Sequence, residues 1–244
     1  WVAQNAVAPG THSDAKLAYA DTVTQYDSDE LTNLELGYKG TLADGKVDLT
    51  AAIYQQDIDD VAIYVADYAL DTVGGIYIAN AGEASSDGYE LAISYNLSEN
   101  ITLSAFTSDT DATLDTGFTG FGGSNLVAAG NKMSNAPEGT SGFSIDASHE
   151  LGNGLTGRFF ANYSTVGDRF GDSANQYALE EYSVANLRYT LDSNDGWRAA
   201  LFVNNATDET YVTFVDDVSY GFGTLGRQYG RPMEMGVNLV WDFN

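Results

Sequence analysis

The chain has 244 residues, no cysteine, 35 acidic against 10 basic residues, and a formal charge of −25. The missing cysteine excludes a disulfide scaffold, thiol catalysis and thiolate metal sites. The charge leaves too few Lys and Arg to replace phosphate counterions, which excludes nucleic acid as a partner, and no apolar run approaches the roughly 18–20 residues of a membrane helix.

One pattern repeats along the chain. A stretch alternates apolar and polar residues, a short turn follows, a second alternating stretch returns, and a long polar connection comes next. Nine strands are predicted, at 31–43, 46–57, 88–98, 101–110, 142–151, 155–165, 181–192, 197–206 and 231–243. The tight turns are Ala43-Asp44-Gly45, Ser98-Glu99-Asn100, Gly152-Asn153-Gly154 and Ser193-Asn194-Asp195-Gly196. Their residues tolerate positive φ or bond their own backbone, as hairpin turns require. The long connections run over 58–87, 111–141, 166–180 and 207–230, with 1–30 as a leading arm. Strict alternation of short turns with long connections is unusual for a soluble sandwich and is what outer-membrane barrels show.

The two faces of each strand sharpen this. Leu34, Leu36, Tyr38 and Leu42 oppose Glu35, Lys39 and Thr41; Val47, Leu49, Ala51 and Ile53 oppose Asp48, Thr50 and Tyr54. Tyr89, Leu91, Ile93 and Tyr95 oppose Glu90, Ser94 and Asn96, and Phe143, Ile145 and Ala147 oppose Ser144 and Asp146. Phe159, Ala161 and Tyr163 oppose Arg158 and Asn162, while Ala185, Leu187 and Tyr189 oppose Asn186 and Arg188. Trp197, Ala199, Leu201 and Val203 oppose Arg198 and Asn204, and the last strand sets Met233, Met235, Val237, Leu239, Trp241 and Phe243 against Glu234, Asn238 and Asp242. Charges within these stretches keep to one face, and a basic residue on a lipid face would cost about 2–4 kcal/mol at the bilayer midplane. His149 falls on the apolar face, beside a turn. An antiparallel sheet with one wet face is the soluble alternative. Against it stand Tyr38, Tyr95, Tyr189, Trp197, Trp241 and Phe243, which cluster near the short-turn ends as an interfacial girdle does.

With short turns on the periplasmic side, the arm and long connections face outward. Taken generously as 1–30, 55–88, 108–142, 164–181 and 205–232, they hold 24 acids against five basic residues (Lys16, Lys132, Arg169, Arg227, Arg231), which is −19 of the total charge. Only His12 and His149 are present, in different regions, so no Ser-His-Asp or metal-histidine cluster is formed. No catalytic residue and no cofactor is indicated. Asp57, Asp59 and Asp60, and separately Asp109, Asp111 and Asp115, have spacings able to bind calcium, without the glycine and distal Glu of a full loop. Tyr64, Tyr68, Tyr77, Phe118, Phe121, Tyr220 and Phe222 lie in the long connections, placed either to stack on a ligand or to pack against one another.

Five segments carry a resemblance. Asp29-Glu30-Leu31-Thr32-Asn33-Leu34-Glu35-Leu36-Gly37-Tyr38-Lys39-Gly40 resembles the E-x-x-x-N-x-E-x-G-x-K strand of TonB-dependent outer-membrane receptors. Asn80-Ala81-Gly82-Glu83-Ala84, followed by Gly88-Tyr89-Glu90, is similar to that family's N-A-G-E-A segment. Asn135-Ala136-Pro137, then Val203-Asn204-Asn205-Ala206-Thr207-Asp208 with Tyr211, then Gly230-Arg231-Pro232 and the terminal strand, follow in family order. The resemblance implies an all-β, antiparallel transmembrane β-barrel of which residues 31–244 would form about the last nine strands of 22, with 1–30 as an extracellular arm. The family's N-terminal plug and TonB box are absent from this stretch, so the chain is expected to be a C-terminal portion of a longer protein. The resemblance further implies a location in the outer membrane of a Gram-negative bacterium, among lipid and lipopolysaccharide. It implies assembly through a C-terminal strand (Val237, Leu239, Trp241, Phe243) read by the barrel-assembly machinery, although Asn244 follows the terminal Phe. The expected activity is TonB-energised uptake of a small-molecule substrate: siderophore-iron, a cobalamin-like compound or an oligosaccharide. A passive porin or adhesin-like barrel, and a soluble carbohydrate-binding β-protein, are the alternatives. None of these is an enzyme.

Overall fold

The computed structural model describes residues 26–67, 75–80, 82–120, 123, 125–216 and 226–242. In chain order the first strands are β1 (Glu30–Leu42), β2 (Val47–Asp59), β3 (Ala62–Asp67), β4 (Gly75–Asn80), β5 (Ala84–Ser98) and β6 (Ile101–Leu114). Next come β7 (Phe118–Thr119), β8 (Asn125–Val127), β9 (Gly139–Gly152), β10 (Leu155–Val166), β11 (Arg169–Phe170) and β12 (Ala178–Leu179). The chain ends with β13 (Tyr182–Ser193), β14 (Trp197–Asn204), β15 (Val212–Asp216), β16 (Gly226–Tyr229) and β17 (Glu234–Trp241).

Nine of these strands make one antiparallel sheet, ordered β1-β2-β5-β6-β9-β10-β13-β14-β17. These are the nine expected from the alternation, joined by the four expected tight turns. Local chemistry makes the turns: Ala43, Asp44 and Gly45 all have positive φ, and Gly152-Asn153-Gly154 does the same at the β9–β10 turn. Asn and Gly accept this left-handed region at little cost, and it matches the twist of a hairpin.

The register puts the apolar residues of neighbouring strands on one face. Leu201 lies opposite Tyr189 and Val237, Val203 opposite Leu187 and Met235, and Trp197 opposite Trp241. This face is uncovered: Leu34 is 74% exposed and Leu239 75%. Sheets in water do not leave such a face bare, and lipid is the solvent that fits it. His149 lies on this face too, and its Nε2 meets the Tyr189 hydroxyl at 3.1 Å.

The opposite face is polar and is finished by two devices. Hydroxyl pairs cross the strands, including Tyr54–Thr110 at 2.8 Å, Ser108–Thr140 at 2.8 Å and Ser94–Ser104 at 3.0 Å. Large aromatics also lie over cross-strand glycines: Tyr54 faces Gly88, Phe106 faces Gly142, and Phe202 faces Gly236. A Cβ on Gly236 would stand 2.6 Å from the Phe202 ring, so glycine is required for the ring to lie flat.

The strands are longer than the alternation suggested at the long-connection end. β5 starts at Ala84 instead of 88 and β6 runs to Leu114 instead of 110. There Asp87 pairs with Asp111 across the ladder. Backbone pairing continues beyond the apolar band, where nothing constrains the side chains to alternate.

The face assignment has a direct test in urea unfolding from lipid vesicles. Leu201→Arg, on the apolar face of β14, should cost about 2–4 kcal/mol, whereas Asn238→Arg on the polar face should change stability by less than about 1 kcal/mol.

Candidate functional site

At one rim of the sheet the four long connections (60–83, 115–138, 167–181 and 205–233) come together. Each of them contains a small hairpin: β3–β4, β7–β8, β11–β12 and β15–β16. Each is also fastened to its neighbour.

The first and second connections share a water-excluded core. Val61, Ile63, Ala79, Ala84, Leu114 and Val127 are buried together, with Ile58, Phe118, Leu126 and Met133 packed against them. The backbone closes around this core, with Val61 N donating to Gly82 O at 2.9 Å and Leu114 N to Asn131 O at 2.8 Å. Asn80 fixes the base: its Oδ1 accepts from Asp27 N at 2.9 Å and its Nδ2 donates to the carbonyls of Asp27 and Asp60.

Amides join the second connection to the third. Asn175 accepts from Lys132 N at 2.7 Å and donates to Lys132 O at 2.8 Å, as one strand would to another. Asn131 Nδ2 donates to Ser173 O at 2.9 Å and Asn135 N to Phe170 O at 2.7 Å. Asp172, buried, accepts from the amides of Gln176 and Tyr177 and so shapes the third connection from within.

Arg169 joins the third connection to the fourth. It is 8% exposed, and its Nη2 donates to the carbonyls of Val212 and Thr213, both at 3.2 Å. Its guanidinium lies 5.5 Å over the Tyr182 ring, and Tyr182 stacks on Tyr211 at 4.1 Å with 15° between the planes. A Cβ on Gly230 would collide with the Tyr211 ring, so glycine permits the column to close. Beneath it, Asn205 is 3% exposed with φ of 49°. Its Nδ2 donates to Glu209 O at 2.8 Å and Arg231 O at 3.0 Å, and its Oδ1 accepts from Glu209 N at 2.9 Å. Asp208 accepts from Met233 N at 2.8 Å. The Asn-x-x-Asp segment thus folds the end of β14 back toward the start of β17.

Two hollows result. One, of about 370 Å³, lies between the third and fourth connections, lined among others by Tyr177, Glu180, Glu181, Tyr182, Glu209, Tyr211 and Arg227. The other, of about 540 Å³, is open on the polar face of the sheet, between Phe106 and Phe160 over Ser94, Ser104 and Asn162.

The family model described as TonB dependent receptor-like, beta-barrel, matches residues 8–206. The chain belongs to the TonB-dependent receptor family. The metal-pseudopaline receptor CntO of Pseudomonas aeruginosa is 28% identical over 225 residues, 89% of this chain and 28% of that protein. Among solved structures, the ferric yersiniabactin uptake receptor FyuA from Yersinia pestis superposes with a TM-score of 0.71 at 20% identity, over 90% of this chain and 31% of that one. The siderophore receptor PiuA from Acinetobacter baumannii gives 0.68 at 20% identity, over 88% and 29%. The chain therefore spans less than a third of each relative.

In this TonB-dependent receptor the sequence-predicted ligand aromatics separate into three groups. Phe118 is partly buried against the apolar core of the first two connections. Tyr64 and Tyr77 occupy paired strands, in register with Ile78 and Val65. Tyr68, Phe121, Tyr220 and Phe222 lie outside the described residues, as does Phe243 of the terminal strand. Val237, Leu239 and Trp241 sit on its apolar face. Of the carboxylates with calcium-like spacing, Asp111 pairs with Lys132 Nζ at 2.7 Å, and Asp115 accepts from the Ser85 hydroxyl at 3.0 Å. Among the described residues no three His, Asp or Glu converge to hold a metal ion, because Asp57 and Asp59 on one strand and Asp109 and Asp111 on another are spread along the ladder. Arg169, Asn175 and the Tyr182–Tyr211 stack were not picked out as site residues from the sequence, although Tyr211 belonged to a matched motif.

Two outcomes check this rim. Asn205→Ala should cost about 2–4 kcal/mol, because it leaves buried backbone groups unpaired, and hydrogen exchange at the Glu209 amide should quicken by about tenfold or more. A Cβ on Gly171 would lie 3.1 Å from that of Val215, close to disulfide spacing. Gly171→Cys with Val215→Cys should therefore cross-link on mild oxidation, which a gel shift reversed by reductant would report.

Proposed function

We propose that this chain is the C-terminal part of the barrel of an outer-membrane receptor that captures a scarce solute at the cell surface and imports it with energy from TonB. Residues 1–30 form an extracellular arm and 31–244 supply the last nine of 22 strands. A plug encoded upstream fills the lumen and carries the TonB box.

The observation that carries this reading is the uncovered apolar face combined with two open sheet edges. Among the described residues β1 and β17 each have a partner on one side only, and an unpaired strand edge is not tolerated in hydrocarbon. Further strands of the same protein fit those edges, as in the large plugged barrels of about 22 strands. Such a chain takes its place among outer-membrane lipid and lipopolysaccharide through the barrel-assembly machinery, which reads the terminal strand. The curated relative is a receptor for metal-pseudopaline, which favours a metal chelate over a cobalamin-like compound or an oligosaccharide as the solute.

The test uses the full-length gene in a receptor-deficient Gram-negative host grown with radiolabelled iron, nickel, cobalt or zinc and spent medium of the native organism. Accumulation should depend on the receptor and vanish on deletion of tonB or collapse of the proton gradient. Accumulation that persists without TonB would overturn energised import and indicate a passive pore.

A further inference from the structure

We propose that the 370 Å³ cavity between the third and fourth connections receives a cationic group of the imported solute, an amine or guanidinium, and rejects anionic ones. The proposal rests on the receptor reading above.

Three observations combine. The first is enclosure: the stacked Tyr182 and Tyr211 form one wall, and Leu179 and Val215, each 3% exposed, back the lining. The second is charge. Glu180, Glu181 and Glu209 meet the lining cation Arg227 and, behind the Tyr182 ring, the buried Arg169, leaving one net negative charge around the hollow. The ion pairs of the described residues lie elsewhere, at Lys132–Asp111, Arg198–Asp192 and Arg231–Glu234. The three carboxylates are exposed, so they act on a cation at contact distance, where salt screens least. The third is permanence. Arg169 clamps Val212 and Thr213 from one side, and Asn205 holds Glu209 at both its amide and its carbonyl from the other. The space therefore exists before a ligand arrives, and little ordering cost is left for binding. Its volume is near the lower end of ligand pockets, about 300–1,000 Å³, so it suits one substituent and not a whole chelate.

The absence of cysteine from this chain allows a local test. Ala178→Cys, in the lining, is made in the full-length receptor, with any cysteine outside this chain replaced. Ala128→Cys, at an exposed position of the second connection, serves as a control. Cells are treated with methanethiosulfonates bearing trimethylammonium or sulfonate. In each case the introduced thiolate attacks the sulfenyl sulfur, a mixed disulfide forms and methanesulfinate leaves. With rates normalised to a free thiol, the cationic reagent should be favoured at least tenfold in Ala178→Cys. The preference should fall to the control value when Glu180→Gln, Glu181→Gln and Glu209→Gln are added together. Argininamide should slow modification of the lining thiol by a neutral methanethiosulfonate saturably and at least fivefold. It should leave the control unchanged and lose its effect once the three glutamates are replaced. Citrate should not protect. Equal reagent rates at the lining thiol, an unchanged preference after the three replacements, no protection by argininamide, or protection by citrate would each overturn the proposal. These readouts need only a folded receptor at the surface. Charge selection without TonB-dependent uptake would refute the functional reading alone, and uptake without charge selection would refute this inference alone.

Discussion

A strand crossing hydrocarbon has no water to satisfy its backbone, so every N–H and C=O must find a partner in a neighbouring strand. That constraint explains most of the sheet. It demands continuous antiparallel ladders, and the register of β1 against β2 runs unbroken from Glu30↔Asp59 to Leu42↔Val47. With the backbone committed, only side chains are free to answer the two solvents, and the period of two sends them to opposite faces. The outward face becomes Leu34, Leu201 and Leu239, and the inward face becomes Ser, Thr, Asn and the paired charges. Bulk on the inward face is then managed across strands: an aromatic on one strand requires a glycine on the next, as with Phe202 and Gly236.

The same constraint decides how much could be read from sequence. Where lipid and lumen pull the faces apart, alternation is strong, and all nine strands and four turns were visible in it. Above the apolar band the pull ends while the ladder continues, so Ser85, Asp87 and Asp111 gave no strand signal although they pair. The hairpins within the long connections were missed for a different reason. Ile63-Tyr64-Val65 and Ile76-Tyr77-Ile78 are good strand formers, but their aromatics invite a ligand-binding reading, and their pairing is set by a core assembled from two connections. Asn205 was legible because its bonds are local to its motif. Arg169 and Asn175 were not, because their partners lie 43 or 44 positions away.

The rim uses a different physical bond at each joint. The first two connections are held by apolar burial, the second and third by an amide that imitates a strand, and the third and fourth by a guanidinium set on stacked tyrosines. Burial is non-directional and survives small shifts. The amide and guanidinium joints are directional and fix the relative position of what they join. The 370 Å³ cavity lies beside the most directional of the three joints, where a preformed shape is best maintained.

These joints also set the electrostatics of the rim. Among the described cations of the long connections, Lys132 is paired with Asp111, Arg231 lies 3.7 Å from Glu234, and Arg169 is buried under Tyr182. Arg227 is the one of these cations that lines the cavity. The acids divide differently: Asp172 and Asp208 serve the backbone, while Glu180, Glu181 and Glu209 remain exposed. Each ion pair takes up one acid with one cation and leaves the net charge unchanged, so the rim stays acidic through its excess of unpaired carboxylates. Long-range repulsion of anions is screened beyond about 8 Å at physiological salt. Selection by charge must then act at contact distance, in a hollow lined by Glu180, Glu181 and Glu209, which is where the fold of the third and fourth connections has put them.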